Sequence, residues 1–364
     1  MIRSVKIENF KCLDQLELPD LGRITLIGGK NGSGKTSVLE ALALLLKERR
    51  NPSLINLFHR WQGAGTISLA AETLVQPAFT NYDLSKVISL SARFDDGLEE
   101  SLTLRAVDGA EEAVIRSLPS GTAGRDGSRT TSIKSDPAGK PIAVLELDSR
   151  KTGGVPLINR LVIDSDGVKL GPAHDQTPEF PLAYFRTMVL LNPGEEADRL
   201  SRLVFDDRQN EVFDIVKNVE PALKELLVLS PAGFTTVYAD IGLKRKIPAR
   251  ALGEGFARVL DVALTIPFCA HGVILIDEAE NGLHHSVQEK AWRAIIQAAV
   301  KNDCQIIATS HSYEFINNIH SALDEEFEKE FRYIRLDKGR AGLSPKTSNS
   351  EMFCISAENR WEVR

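Results

Sequence analysis

The sequence predicts an α/β protein built on a parallel sheet with helices on its faces, carrying a β-rich insertion and a helical lobe. Three observations lead there. The last third alternates strand-like and helix-like patterns. A strand near the N-terminus runs directly into a glycine-rich turn and an apolar helix. The middle of the chain changes texture to short β-like runs. With 364 residues, 43% of them hydrophobic and 26% charged, the chain is long enough for a substantial core and has the composition of a globular protein rather than a disordered or fibrous one.

Residues 2–18 read as two short strands around the Asn9-Phe10-Lys11 turn, and 23–27 as a third strand. In 36–49, Val38, Leu39, Ala41, Leu42, Leu45 and Leu46 form an apolar stripe at helical spacing, and Asn51-Pro52 stops it. Strand-like runs follow at 66–74, 87–94, 98–107, 142–147 and 159–163. Between them, 117–141 is dominated by Ser, Gly, Thr and Pro and contains no aromatic residue, which predicts an exposed mobile loop. The pattern is helical again over 195–229, with Val212, Ile215, Val216 and Val219 on one face before Pro221. A helix at 254–268, strand 273–276, helix 285–300, strand 305–308, helix 313–320 and strand 332–336 complete the chain. The acidic run 324–330 reads as a solvated helix face. The predicted organisation is a first core segment 1–64, a β-rich insertion 65–190, a helical lobe 191–245 and a second core segment 246–364.

Lys and Arg number 44 against 50 Asp and Glu, a net charge of −6, so no overall basic field is present to hold a polyanion and nucleic-acid binding requires a local patch. The cluster Lys244-Arg245-Lys246 with Arg250 is the candidate, and it reads equally as a solvated hairpin tip. Cys12, Cys269, Cys304 and Cys354 form no Cys-x-x-Cys pair, which fits reduced thiols better than a disulfide framework or a zinc site. The N-terminus alternates apolar and polar residues, unlike a signal peptide. The most apolar stretch, 259–276, is broken by Asp261, Pro267 and His271, which argues against a membrane span. A cytoplasmic location is expected.

Three motifs carry chemistry. Gly29-Lys30-Asn31-Gly32-Ser33-Gly34-Lys35-Thr36 matches the phosphate-binding pattern G-x-x-x-x-G-K-[ST] between a strand and a helix. Its glycines let backbone N–H groups converge on phosphates at a helix N-terminus, Lys35 reaches the β- and γ-phosphates and Thr36 ligates Mg2+. Val273-Ile274-Leu275-Ile276-Asp277-Glu278 is an apolar strand ending in two carboxylates. Beside a phosphate loop, Asp277 is placed to hold the magnesium and Glu278 to polarise an attacking water. Alone, the same pair reads as a helix cap. The strand before Thr309-Ser310-His311-Ser312 should reach the same sheet edge, where His311 meets the γ-phosphate or its water.

Together with Ala279-Glu280-Asn281-Gly282-Leu283-His284-His285, these motifs resemble the nucleotide-binding core of ABC-type ATPases, within the group that includes RecF, the SMC proteins and the overcoming-lysogenisation-defect (OLD) ATPases. The resemblance covers roughly residues 1–50 and 245–340. It implies a P-loop ABC-ATPase head, ATP and Mg2+ as ligands, and nucleotide contacts from Lys11, Lys30, Asn31, Gly32, Ser33, Gly34, Lys35, Thr36 and Ser37, with Glu278, His311 and Lys35 as the catalytic groups. It further implies a signature segment acting on a second subunit, for which Ala251-Leu252-Gly253-Glu254-Gly255-Phe256 is the candidate; Gly253 stands where the family has serine. Asn281 resembles a D-loop residue, although Asn-Gly is first of all a turn. The Q-loop glutamine has no clear counterpart around Tyr184-Phe185-Arg186-Thr187. His284-His285 lacks the partners of a metal site.

The resemblance implies a head-to-tail homodimer closed around two ATP molecules, a switch whose work is done on something else. One reading is an anti-phage defence or toxin–antitoxin ATPase with a separate effector protein; about 50 residues after His311 leave no room for the Toprim nuclease of OLD proteins. A second reading is an ATP-gated DNA clamp of RecF type. A third is a scaffold that holds ATP without turnover, against which Lys35, Asp277 and Glu278 argue. No membrane partner is expected.

Overall fold

The computed structural model describes residues 1–46, 75–107, 143–164, 167–171, 181–187, 189–323, 325–339 and 342–349. The run expected at 66–74 and the loop expected at 117–141 lie outside the described residues.

Two sheets sandwich one helix. The first is a seven-stranded antiparallel sheet in the order β2-β1-β4-β5-β6-β7-β8, formed by β1 (Ile2–Phe10), β2 (Leu13–Leu18), β4 (Ile88–Phe94), β5 (Glu99–Ala106), β6 (Ala143–Lys151), β7 (Leu157–Asp164) and β8 (Gly167–Gly171). The two N-terminal strands thus belong to the same sheet as the strands from the middle of the chain. The second has six strands in the order β16-β15-β3-β14-β13-β9. Here β15 (Phe331–Gly339), β3 (Ile24–Gly28), β14 (Gln305–Thr309), β13 (Val273–Ile276) and β9 (Leu182–Phe185) run parallel, and β16 (Gly342–Asn349) pairs antiparallel with β15.

Helix α1 (Lys35–Leu46) lies between the sheets, and every residue from Ser37 to Leu46 is buried. From Val38 to Leu46 the helix is apolar but for Glu40, so it has no solvent face to offer, which is why this sequence fits the space between two sheets. Strand alternation divides the rest of the core. Val273 and Leu275 of β13 point into the layer shared with α1. Ile274 and Ile276 point into the opposite layer, which is closed by α4 (Glu254–Thr265), α5 (His285–Lys301) and α6 (Tyr313–Ala322). Burial on both faces accounts for the continuous apolar run of a central parallel strand. In the outer layer Trp292 of α5 meets Phe315 of α6 edge to face, with ring centroids 5.4 Å apart. Helix α7 (Glu325–Glu328) precedes β15.

The helical segment after β9 comprises α2 (Pro193–Phe205) and α3 (Gln209–Val216). Asn192 caps α2, accepting the Gly194 N–H at 2.9 Å. The helical expectation for 195–229 is corrected at its end. Residues Glu225–Leu229 form β10, paired antiparallel with β11 (Thr236–Asp240), which pairs in turn with β12 (Ile247–Pro248). Leu226-Leu227-Val228, between prolines at 221 and 231, takes its strand form by pairing with β11. Among the described residues, no helix is long and apolar enough to cross a membrane.

Candidate functional site

Parallel strands end on a common edge, and here the carboxyl ends of β3, β14, β13 and β9 bring four segments of the chain together. Gly29, Gly32 and Gly34 of the turn after β3 have φ of 137°, 76° and 88°. A Cβ on Gly29 would meet the Leu336 carbonyl oxygen at 2.7 Å, and one on Gly34 would meet Leu13 at 2.6 Å. Glycine is therefore required twice over, by conformation and by close approach. Lys30, Asn31 and Gly32 are exposed at the loop's tip, while Ser33, Lys35 and Ser37 are buried. The Lys35 Nζ donates to the carbonyls of Gly29 (2.7 Å) and Lys30 (3.1 Å). Burial pulls its pKa below the usual lysine range, against the opposing pull of Glu280, Asp277 and Glu278. The Ser33 Oγ is buried with no hydrogen-bond partner, an unsatisfied group in the cradle where phosphate oxygens would sit.

Asp277 is the centre of the edge. Its Oδ1 accepts from Thr36 (2.9 Å) and Thr309 (2.7 Å), and its Oδ2 from Thr187 (3.0 Å). Three hydroxyls, from the helix after β3, from the end of β14 and from the segment after β9, converge on one carboxylate. Carboxylate and hydroxyl oxygens are the hard donors that magnesium takes, one or two from the protein with phosphates supplying others. Asp277 and Thr36 thus fit the ion. Thr187 escaped sequence reasoning because a single hydroxyl in Phe185-Arg186-Thr187 carries no pattern; it stands beside Asp277 just after β9, the neighbour of β13.

Glu278 has a φ of 50°, unusual for a non-glycine residue. Arg258 of α4, itself buried, holds this turn. Its guanidinium donates to the carbonyl oxygens of Asp277 and of Glu278, the latter at 3.2 Å. The Thr309 Oγ1 accepts the Glu278 N–H (2.9 Å), and Asn281 Nδ2 donates to the Glu278 Oε2 (2.7 Å). Asn281 thus touches the carboxylate of its own chain. The His311 imidazole is 45% exposed, with Nδ1 3.0 Å from the Glu280 Oε1.

Lys11 does not stand open to the loop. It forms an ion pair with Glu40 of α1 at 2.7 Å, both side chains largely buried, and its ammonium lies 5.7 Å from the Phe10 ring centroid. In the signature candidate, Gly253 and Glu254 are exposed and Gly255 is buried. A Cβ on Gly255 would fall 2.0 Å from the Gly282 carbonyl oxygen, so this glycine packs against the D-loop candidate of its own chain. The basic cluster is partly committed: Arg250 donates from Nε to the Glu196 Oε1 at 2.8 Å and also to the Leu191 carbonyl, and Lys246 pairs with Asp240.

A model described as "AAA ATPase domain" matches residues 1–147, and one described as "AAA domain, putative AbiEii toxin, Type IV TA system" matches residues 151–317. The chain is 23% identical over 344 residues to the OLD nuclease of Thermus scotoductus, a match covering 86% of this chain and 59% of that protein; it therefore spans less than two thirds of that relative. It is 22% identical over 374 residues to an ATP/GTP phosphatase of Helicobacter pylori, covering 99% of each. An SMC head bound to the C-terminal winged-helix domain of ScpA aligns over 96% of this chain and 97% of its own, with 14% identity and a TM-score of 0.49. Two adjoining ATPase-domain models match residues 1–147 and 151–317, and a phosphate loop, Asp277-Glu278 and His311 stand on one sheet edge; the chain carries ATPase domains similar to those of the ABC-type ATPases of the RecF, SMC and OLD group.

Proposed function

We propose that this ATPase is a nucleotide-gated switch. It closes as a head-to-tail homodimer around two ATP molecules, opens after hydrolysis, and through that cycle controls a separate effector protein in an anti-phage defence or toxin–antitoxin system. The observation that carries the reading is the assembly of Lys35, Thr36, Asp277, Glu278 and His311 on one sheet edge, while Gly253 and Glu254 stand exposed at the start of another helix. Phosphate-binding, metal-binding and water-activating groups on one edge, together with the exposed Gly253 and Glu254 of the signature candidate, support a second copy as the missing part. The toxin–antitoxin assignment draws on the description of the model matching residues 151–317 and on the relationship to the OLD nuclease.

In this reading Lys35 leaves the carbonyls of Gly29 and Lys30 for the β- and γ-phosphates, and the N–H groups of Gly32 to Ser37 with the Ser33 hydroxyl line the phosphate cradle. Thr36 and Asp277 hold Mg2+, which when bound neutralises charge on the phosphates. Thr187 and Thr309 keep the Asp277 carboxylate oriented. Glu278 takes up a proton from the attacking water, and its carboxylate is steadied by Asn281. His311 contacts the same water from the end of β14. A cytoplasmic location is part of the proposal.

Phosphate release is the test. Lys35→Ala should lose tight nucleotide binding and turnover together. Glu278→Gln should still bind ATP with kcat down by roughly 10²- to 10⁴-fold, the span of a lost general base. Turnover by Glu278→Gln within about twofold of wild type, well inside that span, would remove Glu278 from its role.

A further inference from the structure

Resting on the proposed role of His311, we infer that Glu280 is a positioning residue that fixes the tautomer of His311 and the direction in which its Nε2 points. Glu280 lies in the turn after β13, two residues beyond Glu278. The carboxylates separate: Glu278 bonds to Asn281, whereas Glu280 crosses to the turn after β14. There its Oε1 accepts the backbone N–H groups of His311 (2.9 Å) and Ser312 (3.2 Å) and lies 3.0 Å from the His311 Nδ1. Three donors from one turn meet on one oxygen. The side chain is 9% exposed, and its Oε2 is buried without a hydrogen-bond partner.

A carboxylate only accepts, so the ring nitrogen facing it carries the hydrogen. In the neutral imidazole Nε2 is then bare and accepts a hydrogen bond from the attacking water. A loop needing only two N–H groups capped would be served by a neutral serine or asparagine, with no buried charge to keep. The carboxylate charge strengthens all three bonds, since a charge-assisted bond is roughly twice as strong as a neutral one, and the one from Nδ1 is the one that acts on a side chain of the site. Glu280 also heads the acids that act on Lys35, which sets it within the field of the phosphate loop although it touches no reacting atom.

The experiment is a kinetic cycle of Glu280→Gln, His311→Ala and the double variant, with the 15N imidazole spectrum of His311 recorded for the wild type and for Glu280→Gln. Glu280→Gln should lower kcat by about tenfold with KM for ATP within about twofold, the sign of an interaction expressed in the reacting complex. In the His311→Ala background the same change should alter kcat by less than about twofold, because the two residues act as one unit. The wild-type spectrum should show the hydrogen on Nδ1, and Glu280→Gln should shift it towards a tautomer mixture. Equal losses in both backgrounds, or a wild-type hydrogen on Nε2, would overturn the inference while leaving His311 in place. A His311→Ala enzyme with wild-type kcat would instead overturn the role of His311 itself, and with it the inference.

Discussion

Gly253 occupies a backbone conformation that favours glycine. Its φ of 111° and ψ of 165° fall in a region open essentially to glycine, and no neighbour lies within 4 Å of a Cβ placed there. Gly255 is the opposite case, with an ordinary φ but a Gly282 carbonyl where a Cβ would go. Gly253→Ser should cost about 1–3 kcal/mol through backbone strain. Gly255→Ala should cost a similar ~1–3 kcal/mol through overpacking of two backbones that must part. Urea unfolding distinguishes both from neutral surface changes, and a midpoint shift of zero for either would contradict the corresponding account. Residue identities were unevenly legible. The phosphate loop and Asp277-Glu278 announce themselves because their spacing is the chemistry. Thr187, Arg258 and Glu280 do not, because each acts on a partner 19 to 90 residues away and has no local pattern to mark it.

Between elements, the junction of α2 with α4 is made by two carboxylates. Glu196 of α2 and Asp261 of α4 are both fully buried; Asp261 Oδ2 accepts the Leu191 N–H at 2.8 Å, and Arg250 forks onto Glu196. Burial and the neighbouring Glu196 push the Asp261 pKa up to about 8, with the Leu191 N–H and Arg250 acting the other way. An acid with a higher pKa in the fold than in the unfolded chain keeps a proton that the unfolded chain has lost. Its contribution to stability therefore falls as pH rises from about 4 to about 8 and is level above. Asp261→Asn, which keeps the shape and removes the ionisation, should flatten that part of the pH dependence. Urea midpoints for both proteins at pH 5 and pH 8.5 would show it, and parallel losses would contradict the raised pKa of Asp261. From α4 to β15 the strand and helix order was readable from alternation alone; β16, which pairs antiparallel with β15, was not among the strands expected from the sequence. Strand β9 was not, since Leu182–Phe185 takes its place in the sheet from its pairing with β13, 91 residues on.

At the scale of the molecule, the parallel sheet gathers the ends of β3, β14, β13 and β9 into one edge, and helix α4 carries from its exposed start at Gly253 to its buried Arg258 under the Asp277-Glu278 turn. One helix thus spans from the surface proposed to meet a second copy to the turn whose carboxylate is proposed to act on water. Closure of a dimer and competence for hydrolysis are expected to be linked through it. The measurement that bears most directly on this account is the light-scattering mass of Glu278→Gln with and without Mg-ATP. The account predicts a mass that doubles from 40.0 kDa when Mg-ATP is added and returns when it is removed. A protein that binds ATP yet keeps the monomer mass, or is dimeric without nucleotide, would contradict it.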